Sequence, residues 1–195
     1  MNKYLAFDTE TGGTSTDSSI LSCFMAALDK NLQITDTLSL LIKPDDGIYK
    51  VGASALKVNK INLIEHDKNA VSYTVAHDRL LMFLRQVSYP GNTSLIPLGH
   101  NVHFDINFIC EHILNHKSWH KFVGYRHLDT ATFAMCLIEA GILPSSVSPS
   151  LEKLANFFQL KLTESETHTA QGDTLLTIKV YKELLNLAKR NVWSV

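Results

Sequence analysis

No apolar run in this sequence approaches the roughly 18 residues that a membrane-spanning helix requires, so no transmembrane segment is expected. The N-terminus MNKYLAFDTE also lacks the long apolar region of a signal peptide, because one lysine leads directly into a short run that already carries acids. Export is not expected. Cysteine is scarce: Cys23, Cys110 and Cys136 are odd in number, widely spaced and set among apolar neighbours. That pattern predicts buried free thiols and a cytoplasmic location rather than a disulfide framework. Five prolines and nine glycines exclude collagen-like and low-complexity classes. An excess of one charge is missing as well, since 18 Lys and Arg face 19 Asp and Glu for a formal net charge of −1. Without a long-range field to draw a polyanion, any contact with nucleic acid has to be local.

What is present is enough apolar sequence for a core: 45% hydrophobic and 19% charged over 195 residues predicts one globular domain spanning 1–195. Lys3 to Thr9 alternates like a strand, and Ile20 to Leu28 and Leu32 to Ile42 are further apolar runs joined at Asp29-Lys30-Asn31. Together they predict a three-strand meander. Beyond the turn Pro44-Asp45-Asp46-Gly47, helical spacing marks Ala53 to Val58 and Val75 to Val87. Ser94 to Leu98 reads as a strand, Phe104 to Leu114 as a helix and Arg126 to Leu128 as a fifth strand. Asp129 is placed to cap a helix that runs to Ala140 and stops at Gly141. Ser150 to Leu160 and Thr174 to Ala188 complete the helices of a mixed α/β domain, its strands sandwiched by helices.

Asp8 and Glu10 are two apart at the end of the first strand, so they project from one face. Like charges that close repel unless a cation neutralises them, and the pair invites a metal. An isolated D-x-E is more simply a strand end running into the turn Thr11-Gly12-Gly13. Asp105 heads the inward stripe Phe108, Ile109, Ile113, and Asp173 heads the stripe Leu176, Val180, Leu184, Leu187. Each could instead cap its helix. Five residues before Asp173 stands His168, the side-chain type best able to trade a proton near neutral pH. Four acids from three separated elements plus one histidine form a conjunction that capping does not explain.

In this arrangement the chain resembles the DEDDh (DnaQ-like) 3′–5′ exonuclease family. The motifs that carry the resemblance are Asp8-Thr9-Glu10-Thr11-Gly12, Gly99-His100-Asn101-Val102-His103-Phe104-Asp105 and His168-Thr169-Ala170-Gln171-Gly172-Asp173. Leu128-Asp129-Thr130 and Ala53 to Val58 look like two further family segments, so the likeness extends over the whole chain. It implies an RNase H-like three-layer fold with a central mixed five-stranded sheet flanked by helices. It also implies that Asp8, Glu10, Asp105 and Asp173 bind two divalent cations, Mg²⁺ or Mn²⁺, with His168 as general base. The implied activity is release of nucleoside monophosphates from the 3′ end of single-stranded DNA or RNA. Thr11 and Gly12 are substrate-binding candidates, and Asn101 either bonds the substrate backbone or ties a turn. The chain departs from many relatives after the glutamate, where it reads Thr11-Gly12-Gly13-Thr14 and those carry Thr-Thr-Gly-Leu, and His103 adds an imidazole near the cleft.

A second row, His112, His116 and His120, has the spacing of ligands on one helix face, but its polar surroundings favour a solvated helix end. A binding or proofreading partner module of a replication or repair complex, with secondary activity, is the alternative to an enzyme. Homodimer, polymerase and repair partners all stay open.

Overall fold

The computed structural model describes residues 2–88, 94–160 and 169–192. Three long strands, β1 (Asn2–Thr11), β2 (Ile20–Asp29) and β3 (Ile34–Lys43), pair antiparallel in the predicted meander. Helices α1 (Ala53–Asn59) and α2 (Leu63–Asn69) lead to a two-residue strand, β4 (Val71–Ser72), and to α3 (Tyr73–Val87). The second half alternates β5 (Ile96–Gly99), α4 (His103–His112), α5 (His116–Trp119), β6 (Leu128–Asp129), α6 (Thr130–Glu139), α7 (Leu151–Phe157) and α8 (Ala170–Val192). The sheet order is β4-β3-β2-β1-β5-β6. The mixed sheet therefore has six strands where the sequence predicts five, because Val71 and Ser72 pair with Ile42 and Lys43. No local pattern announces a two-residue strand made by a distant partner.

Alternation along β1 divides its side chains between two cores. Leu5 and Phe7 pack with α3, α4 and α5, where the edge of Phe7 meets the Trp119 ring with centroids 5.5 Å apart. Tyr4 and Ala6 pack on the opposite face with Ala170, Ile178 and Tyr181 of α8, and α6 and α7 close over the same helix. Burial on both faces makes β2 apolar without a break from Cys23 to Leu28, each fully buried aliphatic side chain contributing about 1.5–3 kcal/mol. Helices thus cover the sheet on both sides, as the three-layer expectation requires.

The sheet also fixes where a cleft can open. β5 runs parallel to β1 and pairs with it only as far as Ala6 with Leu98. Beyond that point β5 parts from β1: Gly99 still pairs with Asp129 of β6, and the chain then turns at Asn101, whose φ is 57°. A Cβ at Gly99 would press into the Val102 side chain, so the tight exit needs glycine. The last residues of β1 lie uncovered on that edge, at the carboxyl ends of parallel strands where open α/β sheets place ligands.

Two expectations change. Cys23 and Cys110 are buried free thiols, but Cys136 is exposed, because the inward stripe of α6 is Thr130, Ala131, Ala134 and Leu137. The histidine row is not one helix face: α4 ends at His112 and α5 begins at His116. His112 bonds the Thr16 carbonyl through Nε2 and His120 bonds the Val123 carbonyl through Nδ1. Among the described residues no helix is long and apolar enough to cross a membrane.

Candidate active site

The uncovered end of β1 forms one wall of a cleft of about 270 Å³ lined by Asp8, Thr9, Glu10, Val58, His100, Asn101, Phe104, Asp105 and Asp173. Asp8 and Glu10 share the face of β1 that meets α8, and Asp173 stands in the first turn of that helix. Carboxylate oxygens of Asp8, Glu10 and Asp173 all lie within 4.8 Å of one another. Asp105 enters from α4 and is 3% exposed. Its Oδ1 accepts from the Thr9 backbone N–H at 2.8 Å and from the Thr9 hydroxyl at 2.7 Å. One oxygen therefore locks α4 to β1, and Asp105 is not a helix cap. The sequence did not single out Thr9, although its position between two acids on an alternating strand turns it toward α4.

These acids repel one another. Burial, then Asp105, Asp173 and Glu10, push the Asp8 carboxyl well above the usual carboxylate range. Burial, then Asp173 and Asp105, raise Glu10 to about 8, and burial raises Asp105 to about 7 against the opposing Thr9 hydrogen bonds. A divalent cation removes this repulsion, and an all-carboxylate donor set suits a hard ion such as Mg²⁺ or Mn²⁺. The residues present fit such a group.

A stability prediction follows from the raised carboxyls. Between the ordinary carboxylate range and about 7–8, the folded protein holds protons that the unfolded chain has released, so stability falls as pH rises through that window. Thermal melts in chelator are expected to show the melting temperature falling from pH 5 to 8. Added Mn²⁺ should restore it most at pH 8, and equal stabilisation at both ends would contradict the repulsion.

The turn after β5 is held by a small network. Asp129 caps α6 by accepting from Thr132 N–H at 2.9 Å, and its other oxygen accepts from Val102 N–H at 2.8 Å. The Thr130 hydroxyl donates to the Gly99 carbonyl at 3.2 Å, so His100 Nδ1–H, 2.8 Å away, donates to that hydroxyl. His100 Nε2 is left as an acceptor. Burial also lowers the His100 pKa against the pull of Asp129, which favours the neutral ring. Asn101 lies on the cleft with its backbone carbonyl accepting from Phe104 N–H at 2.9 Å, so it ties the turn and also faces the cleft.

Thr11 and Gly12 line an adjoining cleft of about 540 Å³ that shares Thr9, Glu10, Val58 and Phe104 with the first. Gly12 donates to the Ser19 carbonyl and accepts from Gly52 N–H, both at 2.7 Å, and a Cβ there would collide with the Lys50 carbonyl. Its backbone is thus wedged between two segments. Val58, an apolar residue 60% exposed at the junction of the two clefts, was not singled out in the sequence. His103 does not line either cleft; its ring lies edge to face against His127, with centroids 4.3 Å apart. His168 lies outside the described residues.

No family model matches the chain. It is 26% identical over 196 residues to ribonuclease T of Buchnera aphidicola subsp. Acyrthosiphon pisum (strain APS), an alignment covering 95% of this chain and 83% of that protein. In fold it is similar to E. coli exonuclease I in complex with a dT13 oligonucleotide, with a TM-score of 0.73 and 17% identity. That superposition covers 98% of this chain but only 43% of exonuclease I. The zinc-bound form of the exonuclease I complex with single-stranded DNA superposes with a TM-score of 0.74 at 18% identity, covering 97% of this chain and 42% of that one. The resemblance read from the motifs is therefore matched by sequence relatives and by fold.

Proposed function

We propose that the chain is a metal-dependent 3′–5′ exonuclease that releases nucleoside monophosphates from the 3′ end of single-stranded nucleic acid, with 1–195 acting as one catalytic domain in the cytoplasm. The observation that carries this reading is the convergence of Asp8, Glu10 and Asp173 within 4.8 Å, with Asp105 on the same cleft. Four acids packed together and pushed toward protonation have no structural purpose of their own. The likeness to ribonuclease T and to exonuclease I supports the same chemistry.

In this reading Asp8, Glu10, Asp105 and Asp173 hold two divalent cations, Mg²⁺ or Mn²⁺. When bound, the pair supplies an acidified water and neutralises charge on the phosphate and the departing 3′ oxygen. The protein's own groups do the rest. Thr9 fixes the Asp105 carboxylate through two hydrogen bonds. Thr11, Gly12 and Asn101 border the space for the terminal nucleotide. His168 accepts the proton of the attacking water. A net charge of −1 gives little affinity for long duplexes, and the catalytic cleft takes only a few nucleotides at a free 3′ end.

The test is degradation of 5′-labelled linear and internally labelled circular single strands of DNA and RNA, with Mg²⁺ or Mn²⁺ and with chelator. Linear strands are expected to shorten stepwise from the 3′ end and circles to survive. Cutting of circles at the linear rate would show an endonuclease, and full activity in excess chelator would end the metal assignment.

A further inference from the structure

The cleft does not use the surplus histidines, but the structure organises them. His103, next in the chain to the cleft residue Phe104, meets the His127 ring at 4.3 Å. His127 Nδ1 lies 3.4 Å from the carbonyl of Tyr125. The Tyr125 ring, 79% exposed, stacks on His120 with centroids 3.8 Å apart and planes 22° from parallel. His120 in turn lies parallel to His116 at 6.2 Å. Five rings from α4, α5 and the segment before β6 thus form two groups, His103 with His127 and Tyr125 with His120 and His116, which meet where His127 approaches the Tyr125 carbonyl and of which the first stands beside the cleft.

The charge along these rings differs from that of the chain. Residues 115–127 carry Lys117, Lys121 and Arg126, all exposed, and no acid, in a protein of net charge −1. Asp129, the next acid, is committed to two backbone N–H groups. A hydrophobic core does not require stacked rings on a basic surface, and an exposed tyrosine on an imidazole costs solvation of both faces. Bases of a single strand offer flat π surfaces and its phosphates offer negative charge, so the combination matches single-stranded nucleic acid.

We infer that the five rings His103, His127, Tyr125, His120 and His116 are a stacking track for the single strand on the 5′ side of the nucleotide being removed. The inference rests on the exonuclease reading for its direction. It places the affinity for long strands outside the catalytic cleft and makes it sensitive to ring loss rather than to cation loss.

The experiment measures binding of fluorescent single strands of about 12 and about 3 nucleotides in chelator, by anisotropy, for both DNA and RNA. The wild-type protein is expected to favour the longer strand. His120→Ala with Tyr125→Ala should weaken that strand by roughly tenfold or more, leave the short one unchanged and keep the melting temperature. His120→Phe with Tyr125→Phe, which retains two flat rings, should bind like wild type. An Ala pair that binds the long strand normally, a Phe pair as weak as the Ala pair, or a wild-type protein indifferent to length would each overturn the track. Hydrolysis with Mg²⁺ or Mn²⁺ is scored separately: length-dependent, ring-dependent binding without any hydrolysis would keep the track and remove the exonuclease reading.

Discussion

Asp8→Asn is expected to abolish hydrolysis and leave a protein that folds at least as stably as the parent. Asp8 sits at the centre of the acidic group, where burial and the charges of Asp105, Asp173 and Glu10 hold its carboxyl well above the usual range. An amide of the same shape carries no charge to repel those neighbours, so the metal-free fold loses strain rather than gaining it. Activity is another matter, because the amide cannot supply the negative charge that draws a cation between Asp8, Glu10 and Asp173. Metal-supplied charge stabilisation amounts to several kcal/mol, so the rate should drop by about 10³-fold or more. Single-turnover degradation of a 5′-labelled strand gives the rate, Mn²⁺ titration calorimetry gives the binding, and thermal melts in chelator give the stability. Wild-type Mn²⁺ affinity in the variant would show that Asp8 is not a ligand. A collapsed melting temperature would show that it supports the fold instead.

The elements that hold the site were legible because their signals are local. Alternation in β1, the apolar β2 and the Asp129 cap all lie within a few residues of what they determine, and each stands where the pattern puts it. The elements that escaped depend on distant partners. Helix α2 has only seven residues, four of them Glu65, His66, Asp67 and Lys68, too few turns for an apolar stripe to show. Its Asn62 cap, which accepts from Ile64 and Glu65 N–H, was the one signal available. Strand β4 exists only because Ile42 and Lys43 pass beside it. In the site, the direction of Asp8 and Glu10 could be read from strand period, and that of Asp105 and Asp173 from helical stripes. The lock between Thr9 and Asp105 joins residues 96 apart, and no single-sequence pattern records such a pair.

His168→Ala is expected to lower turnover by roughly 10² to 10⁴, the usual contribution of a general base, with metal and strand binding nearly preserved. A base must be neutral to accept the water's proton, so the wild-type rate should fall as pH drops through the imidazole's titration. The Ala variant should lose that acid limb together with the rate. His168→Asn should do no better, because an amide can orient a water but does not take its proton near neutral pH. Two histidines stand ready as rivals, and the geometry separates them. His103 is turned onto His127 and lines neither cleft. His100 lines the cleft and donates Nδ1–H to Thr130, which leaves Nε2 as a proton acceptor, and burial shifts its titration downward. The decisive measurement is the pH–rate profile of single-turnover hydrolysis for wild type, His168→Ala and His100→Ala with Mg²⁺ at saturating strand. Loss of rate and acid limb in His168→Ala alone assigns the base to His168. Near-normal turnover there, with the limb lost in His100→Ala, would move the proton to the imidazole that Thr130 orients.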